Sequence, residues 1–306
     1  MRLNLNQLRH LLAIDRHRNF ARAAEQVGLT QPALTRSLQT LEKSIGARLF
    51  DRDRSRVEPT DIGNRLIERA RPLLEQARDI ERDIEQMLGI EIGFLRVGSG
   101  PFPAEISVGA AMGRLLRHHP HLLVDLWVGD WTEMLPKVLS GELDLAVVET
   151  SLALDDERLT VESLPTHRAV LFCRPGHPLT GRSKLSIDDV RRFPFATSAL
   201  PSRLDSLSAS EVGASSADRR NGVTMPQVRV ESPVLARRIV MESDAFSVGL
   251  PSQIAPDVAL GRLVVLPFEL PGLETRYGII RRSDRSASPA ATAFMQILRE
   301  VESAIA

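Results

Sequence analysis

The sequence predicts a multi-domain α/β chain: a small all-helical head, one long helix, and a larger two-lobed α/β body. Three observations carry that expectation. At 306 residues, 43% hydrophobic and 25% charged, the chain exceeds one ordinary small domain and holds enough apolar material for more than one core. Apolar residues recur at helical spacing up to about residue 88, then give way to short apolar runs alternating with helical stretches. Charge divides the same way: residues 1–65 hold 12 Arg or Lys against 7 Asp or Glu, and residues 90–306 hold 23 against 26. A basic head on a mildly acidic body suits a chain in which the head alone meets phosphate.

Several classes are set aside at once. The sequence contains no run of about 18 apolar residues, so a membrane span is not expected. Arg9, Asp15, Arg16 and Arg18 interrupt the first twenty residues and leave no secretory core. The single cysteine, Cys173, excludes an intrachain disulfide and a multi-cysteine zinc site. A cytoplasmic protein is the simplest expectation.

The head begins with an amphipathic helix over residues 5–18, carrying Leu5, Leu8, Leu11, Leu12 and Ile14. A short helix from Phe20 to Val27 follows, with Ala23, Ala24 and Val27 inward, and Gly28 supplies the turn. Thr30 is the expected N-cap of a third helix, Gln31 to about Ser44, with Pro32 tolerated in its first turn. That helix would bury Leu34, Leu38, Leu41 and Ile45. Small Ala24 four residues before Gly28, and apolar Leu34 six after it, suit two helices crossing over a short turn. Outward lie Gln31, Thr35 and Gln39, with Pro32 and Arg36 beside them. These groups suit base edges and phosphates, and no acid interrupts them before Glu42. A short hairpin is expected after Leu49 and Phe50; if the segment is extended, Arg52, Arg54 and Arg56 share one parity and project to one side.

The stretch NFARAAEQVGLTQPALTRSLQTLEKSIG, residues 19–46, followed by LFDRDRSRVEPTDIG, closely resembles the LysR-type transcriptional regulators. The resemblance implies a winged helix-turn-helix, residues 1–60, whose third helix enters the major groove of double-stranded promoter DNA. Ala21, where the family commonly has Ser or Thr, and Pro59, where an aliphatic residue is common, depart from the pattern without disturbing it.

Thr60 and Asp61 open a linker helix, residues 61–90. Ile62, Leu66, Ala70, Leu73, Ala77, Ile80, Ile84 and Met87 form its apolar seam, a heptad repeat from Leu66 onward, with Pro72 inside it. Such a seam pairs with the body of its own chain or with a second copy. The heptad spacing favours a homodimer, and the resemblance implies the same, extending to a homotetramer. RNA polymerase is a further candidate partner.

The body, residues 91–306, reads as strands at 95–98, 122–128 and 143–148, separated by helices over 105–119 and 132–139. That alternation indicates a parallel α/β sheet. A second set follows, with strands at 168–174, 195–197, 228–230 and 246–249 and a helix over 234–241. A strand over 277–281 and a helix over 289–305 close the chain. Gly141-Glu142-Leu143-Asp144-Leu145-Ala146 and Pro175-Gly176-His177-Pro178-Leu179 resemble the effector-binding part of LysR-type regulators. The resemblance implies a type 2 periplasmic-binding-protein-like fold, with lobe I at about 91–163 and 271–306 and lobe II at about 164–270. A small-molecule effector would lie between them. Candidate contacts are Ser99, Gly100, Thr132, Glu149, Thr150, Thr197, Ser198 and Gly249. Gly98-Ser99-Gly100, just before a helix, would leave backbone N–H groups and a hydroxyl for an anion. A carboxylate-bearing effector is the leading expectation, with Glu149 favouring a polar or cationic group instead. Ser243-Asp244, where the family has glycines, and the Ser-rich stretch 206–220 depart from the pattern.

Neither a metal nor a cofactor is expected. His118, His119 and His121 lack Cys or carboxylate at ligand spacing. Cys173 sits in an apolar strand without a resolving partner. No nucleophile–base pair supports an enzyme, and a free-standing solute receptor would not carry residues 1–88.

Overall fold

The computed structural model describes residues 3–53, 56–88, 93–207, 223–224 and 226–305. It forms two compact units, Met1–Met87 and Leu88–Ala306.

In the first unit, α1 (Leu5–His17), α2 (Phe20–Gln26) and α3 (Gln31–Ile45) start on side-chain caps. Asn4 accepts from the Asn6 amide, Asn19 from those of Ala21 and Arg22, and Thr30 from that of Ala33. Gly28 at φ +66° and Gly46 at φ +79° make the left-handed turns after α2 and α3. Leu34, Leu38 and Leu41 pack with Leu11, Ile14, Ala23, Ala24, Leu49 and Phe50 in one core. Ile45 is half-buried rather than buried, because the last turn of α3 reaches the rim of that core. The hairpin pairs β1 (Phe50–Asp53) antiparallel with β2 (Arg56–Pro59).

Helix α4 (Asp61–Leu88) starts where Thr60 Oγ1 accepts from the Gly63 amide and donates to the Arg48 carbonyl. Gly63 lies against the Leu49 carbonyl with no room for a Cβ. Ile67, Ala70 and Leu74 are buried against the head, and Arg71 pairs at 2.9 Å with the buried Asp15 of α1. The expected seam therefore divides. Ala70 joins the head and Leu66 is half-buried there, while Ile62, Leu73, Ile80 and Ile84 are 42–60% exposed. At roughly 100° per residue, the covered and open stripes lie about a quarter turn apart on the helix.

The second unit opens with β3 (Phe94–Ser99), β4 (Leu123–Val128), β5 (Leu145–Glu149) and β6 (Leu159–Ser163). The second lobe holds β7 (Val170–Cys173), β8 (Ala196–Thr197), β9 (Leu200–Pro201), β10 (Val223–Thr224), β11 (Val228–Arg229), β12 (Ser247–Gly249) and β13 (Val264–Val265). The chain then returns through β14 (Tyr277–Arg282) to the helix Pro289–Ile305. The five-stranded sheet has the order β4-β3-β5-β14-β6, and β12-β7-β13 forms a second sheet. The five-stranded sheet is mixed rather than parallel, and the second is antiparallel throughout. β3 runs parallel to β4 and β5, but β14 is antiparallel to β5 and β6, and β7 to both its neighbours. β14 is antiparallel because the chain re-enters the first lobe from the opposite end.

The two passages between lobes run side by side. Leu164 donates to the Tyr277 carbonyl at 3.1 Å, Thr275 to that of His167 at 3.0 Å, and Ala169 to that of Leu273 at 3.0 Å. The helix expected over 105–119 starts earlier, at Pro101, and holds a π-helical turn, Ala104–Val108, before Gly109–His118. Proline is tolerated there because first-turn amides have no partner within the helix.

Candidate nucleic-acid interface and effector cavity

On α3, Gln31, Pro32, Arg36 and Gln39 are exposed and Thr35 is half-buried. The buried leucines of the opposite face fix the rotation that turns these groups outward. Arg36 Nε lies 3.4 Å from the Pro32 carbonyl, which lays the guanidinium back along the first turn. His10 Nδ1 meets Ser37 Oγ at 2.7 Å and ties α3 to α1, and the Leu49 amide donates to Glu42 Oε1 at 2.8 Å, tying the end of α3 to the hairpin.

Register corrects the arrangement expected of the hairpin arginines. Position 52 pairs with Val57 and position 56 with Asp53, so the two fall on opposite faces of the ribbon. The shared parity held only for an unbroken extended segment, and this one folds back on itself. Arg54 lies outside the described residues, as do the side chains of Arg52 and Arg56.

The lobes of the second unit enclose a cavity with about 90 Å³ open to the centre of a water molecule. Phe102, Trp131, Leu204, Val248, Leu250 and Leu273 supply much of its apolar wall. Among the described residues, three ion pairs join the lobes around it: Glu105 with Arg237 at 2.8 Å, Asp130 with Arg229 at 2.7 Å, and Glu149 with Arg203 at 2.9 Å. In each the carboxylate comes from the first lobe, just after β3, just after β4 or at the end of β5. The Glu149–Arg203 contact is two-pointed, and Arg203 Nη2 also donates to the Glu274 carbonyl at 3.1 Å.

Tyr277 lines the cavity, and its hydroxyl donates to Glu302 Oε1 at 3.0 Å, while Glu302 Oε2 lies 2.8 Å from His167 Nε2. Burial, followed by the neighbouring Glu302 carboxylate, pushes the Tyr277 hydroxyl pKa up and keeps it a donor. The three groups are buried where the two crossing segments meet the last helix.

Of the eight residues expected at the effector, Gly100, Glu149, Ser198 and Gly249 line the cavity. Ser99, Thr132, Thr150 and Thr197 stand outside its lining. Ser99 is buried with its hydroxyl on the Gly100 carbonyl at 3.0 Å, and Thr132 donates to Asp130 within a helix cap. Thr150 donates to the Arg276 carbonyl at 3.2 Å, and Thr197 is buried in β8. The backbone donors expected at 98–100 are engaged rather than open. The Gly100 amide donates to the Val147 carbonyl at 2.8 Å, and Pro101 and Pro103, next in line, have none. Reading the sequence missed Arg203, Phe102 and Trp131. Arg203 sits in a short 3₁₀ segment, Ser202–Leu207, without periodicity to mark it, whereas the two aromatics follow strand ends and were discoverable there.

No helix among the described residues is long and apolar enough to cross a membrane, and no group of three or more His, Cys, Asp or Glu among them is placed to hold a metal ion.

With this geometry in hand, comparison with known proteins is direct. Residues 5–64 match the family described as bacterial regulatory helix-turn-helix protein, lysR family, and residues 91–303 match the LysR substrate binding domain. The chain is 35% identical over 300 residues to the SDS degradation transcriptional activation protein of Pseudomonas sp. (strain ATCC 19151), covering 96% of this chain and 95% of that protein. It is 30% identical over 306 residues to the HTH-type transcriptional regulator GbpR of Azospirillum brasilense, covering 97% and 86%. Full-length CbnR complexed with its target DNA shares the fold, with a TM-score of 0.56 at 20% identity, covering 98% of this chain and all of that one. A helix-turn-helix head and a substrate-binding domain, matched in that order on either side of the long helix, make this protein a member of the LysR family of DNA-binding transcriptional regulators, and not an enzyme.

Proposed function

We propose that the protein reads its operator through the outward face of α3, with Gln31, Pro32, Thr35, Arg36 and Gln39 at the base edges and at least one of the wing residues Arg52, Arg54 and Arg56 on the phosphate backbone or in the adjacent minor groove. The observation that carries this reading is the polar, acid-free stretch of α3 exposed opposite three fully buried leucines. Such a face matches the donor and acceptor pattern of the major groove. The protein acts as a homodimer joined along the open stripe of α4, because Ile62, Leu73, Ile80 and Ile84 leave apolar surface at heptad-like spacing. Family resemblance extends the assembly to a tetramer and makes RNA polymerase a further contact. The effector occupies the cavity between the lobes, where Gly100, Glu149, Ser198 and Gly249 meet it, with Ser99, Thr132, Thr150 and Thr197 supporting the walls. A regulator of promoter DNA works where the chromosome is, in the cytoplasm.

The test is selection of genomic fragments by the purified protein at near-physiological salt. The expected outcome is one enriched motif with two related half-sites, spaced by whole helical turns. Absence of an enriched motif contradicts the reading.

A further inference from the structure

On the reading that the cavity is the effector site, we propose that its effector is a small uncharged molecule, largely apolar, with one hydroxyl or carbonyl group, and that the site rejects a carboxylate of the same length. Four observations converge on this class. The first is size. About 90 Å³ open to water centres, at roughly 10–15 Å³ per water-sized group, accommodates on the order of six to nine such groups.

The second is charge. The lining holds Asp130, Glu149 and Glu274 against Arg203 and Arg276. Both arginines already face carboxylates, Arg203 on Glu149 at 2.9 Å and Arg276 on Glu274 at 2.9 Å. An incoming carboxylate would lose its water, find each cation already paired, and add a fourth negative group to the wall. Burial of an uncompensated charge is far more costly than burial of a hydroxyl or carbonyl.

The third is the backbone. The Gly100 amide is bonded to the Val147 carbonyl, and the Leu250 amide, at the start of the helix Pro251–Ala259, is held by Gln253 Oε1 at 3.0 Å. Proline follows each of these residues, so the first helical position offers no N–H in either case. Two helix starts that border the cavity thus lack the usual equipment for an anion.

The fourth is an unmet donor on a residue that lines the cavity. Arg203 Nε is buried and has no hydrogen-bond partner, although its other nitrogens are engaged. A small turn of the Arg203 side chain that opens this group to the cavity would let one ligand oxygen satisfy the unmet donor.

Isothermal titration of the full-length protein at pH 7 with 1-hexanol, 2-hexanone and hexanoate tests the proposal. The two neutral probes are expected to bind at least tenfold more tightly than hexanoate. Leu204→Trp, which fills the cavity from its wall, should abolish their binding and so locate it. Glu149→Gln leaves Arg203 without its counter-charge and should shift the hexanoate-to-hexanol affinity ratio at least tenfold toward hexanoate. Should that variant not fold, the three-probe ranking on the unaltered protein still decides. Preference for hexanoate in the unaltered protein overturns the ligand class alone. Failure of all three probes to bind, or neutral binding that survives Leu204→Trp, overturns the cavity as effector site and the proposal with it.

Discussion

Arg36 stands on the exposed side of α3, one turn from Pro32, and the helix beneath it is held by a capped start and three buried leucines. A guanidinium so placed suits a bidentate contact with guanine, worth about 1–3 kcal/mol. Arg36→Ala should therefore bring operator affinity in a gel-shift titration close to that for unrelated DNA, with unrelated-DNA affinity little changed. Gly63 illustrates the opposite case, in which a residue matters for what it lacks. Its Cα packs on the Leu49 carbonyl, so Gly63→Ala should lower the thermal stability of the head, by about 1–3 kcal/mol as over-packed sites usually do. Cys173 is fully buried, and burial raises its thiol pKa to about 11 from an ordinary value near 9. The unfolded chain therefore releases this proton first as pH rises. The thiol's contribution to stability is complete below about pH 9 and falls away toward pH 11. Denaturant titrations across that window should show a downward slope that is shallower in Cys173→Ala.

Helix α4 shows what periodicity does and does not reveal. The apolar repeat identified the helix and its length, because apolar residues recur every three or four positions from Leu66 to Met87 with no glycine among them. The same repeat did not reveal that two stripes exist and that the head covers the Ile67–Ala70–Leu74 stripe. Which stripe is covered depends on α1 folding back on it, a long-range contact anchored by Asp15 and Arg71. Ile80 and Ile84, 60% and 50% exposed, make a clean test of the other stripe. Ile80→Glu with Ile84→Glu should turn a dimer into a monomer in sedimentation velocity, with the helical circular dichroism of the head retained. The second lobe was less legible for a related reason. β8, β9, β10, β11 and β13 have two residues each, too short for any alternation to register. The helix Pro251–Ala259 contains Pro256 as well as Pro251 and reads locally as a turn. In the cavity, glycines and hydroxyls at strand ends were legible, but four of the five hydroxyl residues, Ser99, Thr132, Thr150 and Thr197, lie outside its lining.

At the scale of the whole molecule, the two units divide the labour. The head carries the excess of basic residues and the face suited to bases; the body carries a small, largely apolar chamber bridged by three carboxylate–arginine pairs. Those pairs make closure of the lobes sensitive to charge. Arg237 joins Glu105 at 2.8 Å and approaches Asp257 at 3.6 Å, so Arg237→Ala leaves two carboxylates without it. It should lower the melting temperature of the body by several degrees in scanning calorimetry, in line with the loss of a half-buried pair. The central claim is that α3 reads sequence in double-stranded DNA, and the most direct measurement is fragment selection from genomic DNA run in parallel on the unaltered protein and on Arg36→Ala. The account predicts one enriched two-part motif for the former and its loss for the latter, with total DNA retained at low salt by both. An identical motif from both proteins, or none from the unaltered one, would contradict it.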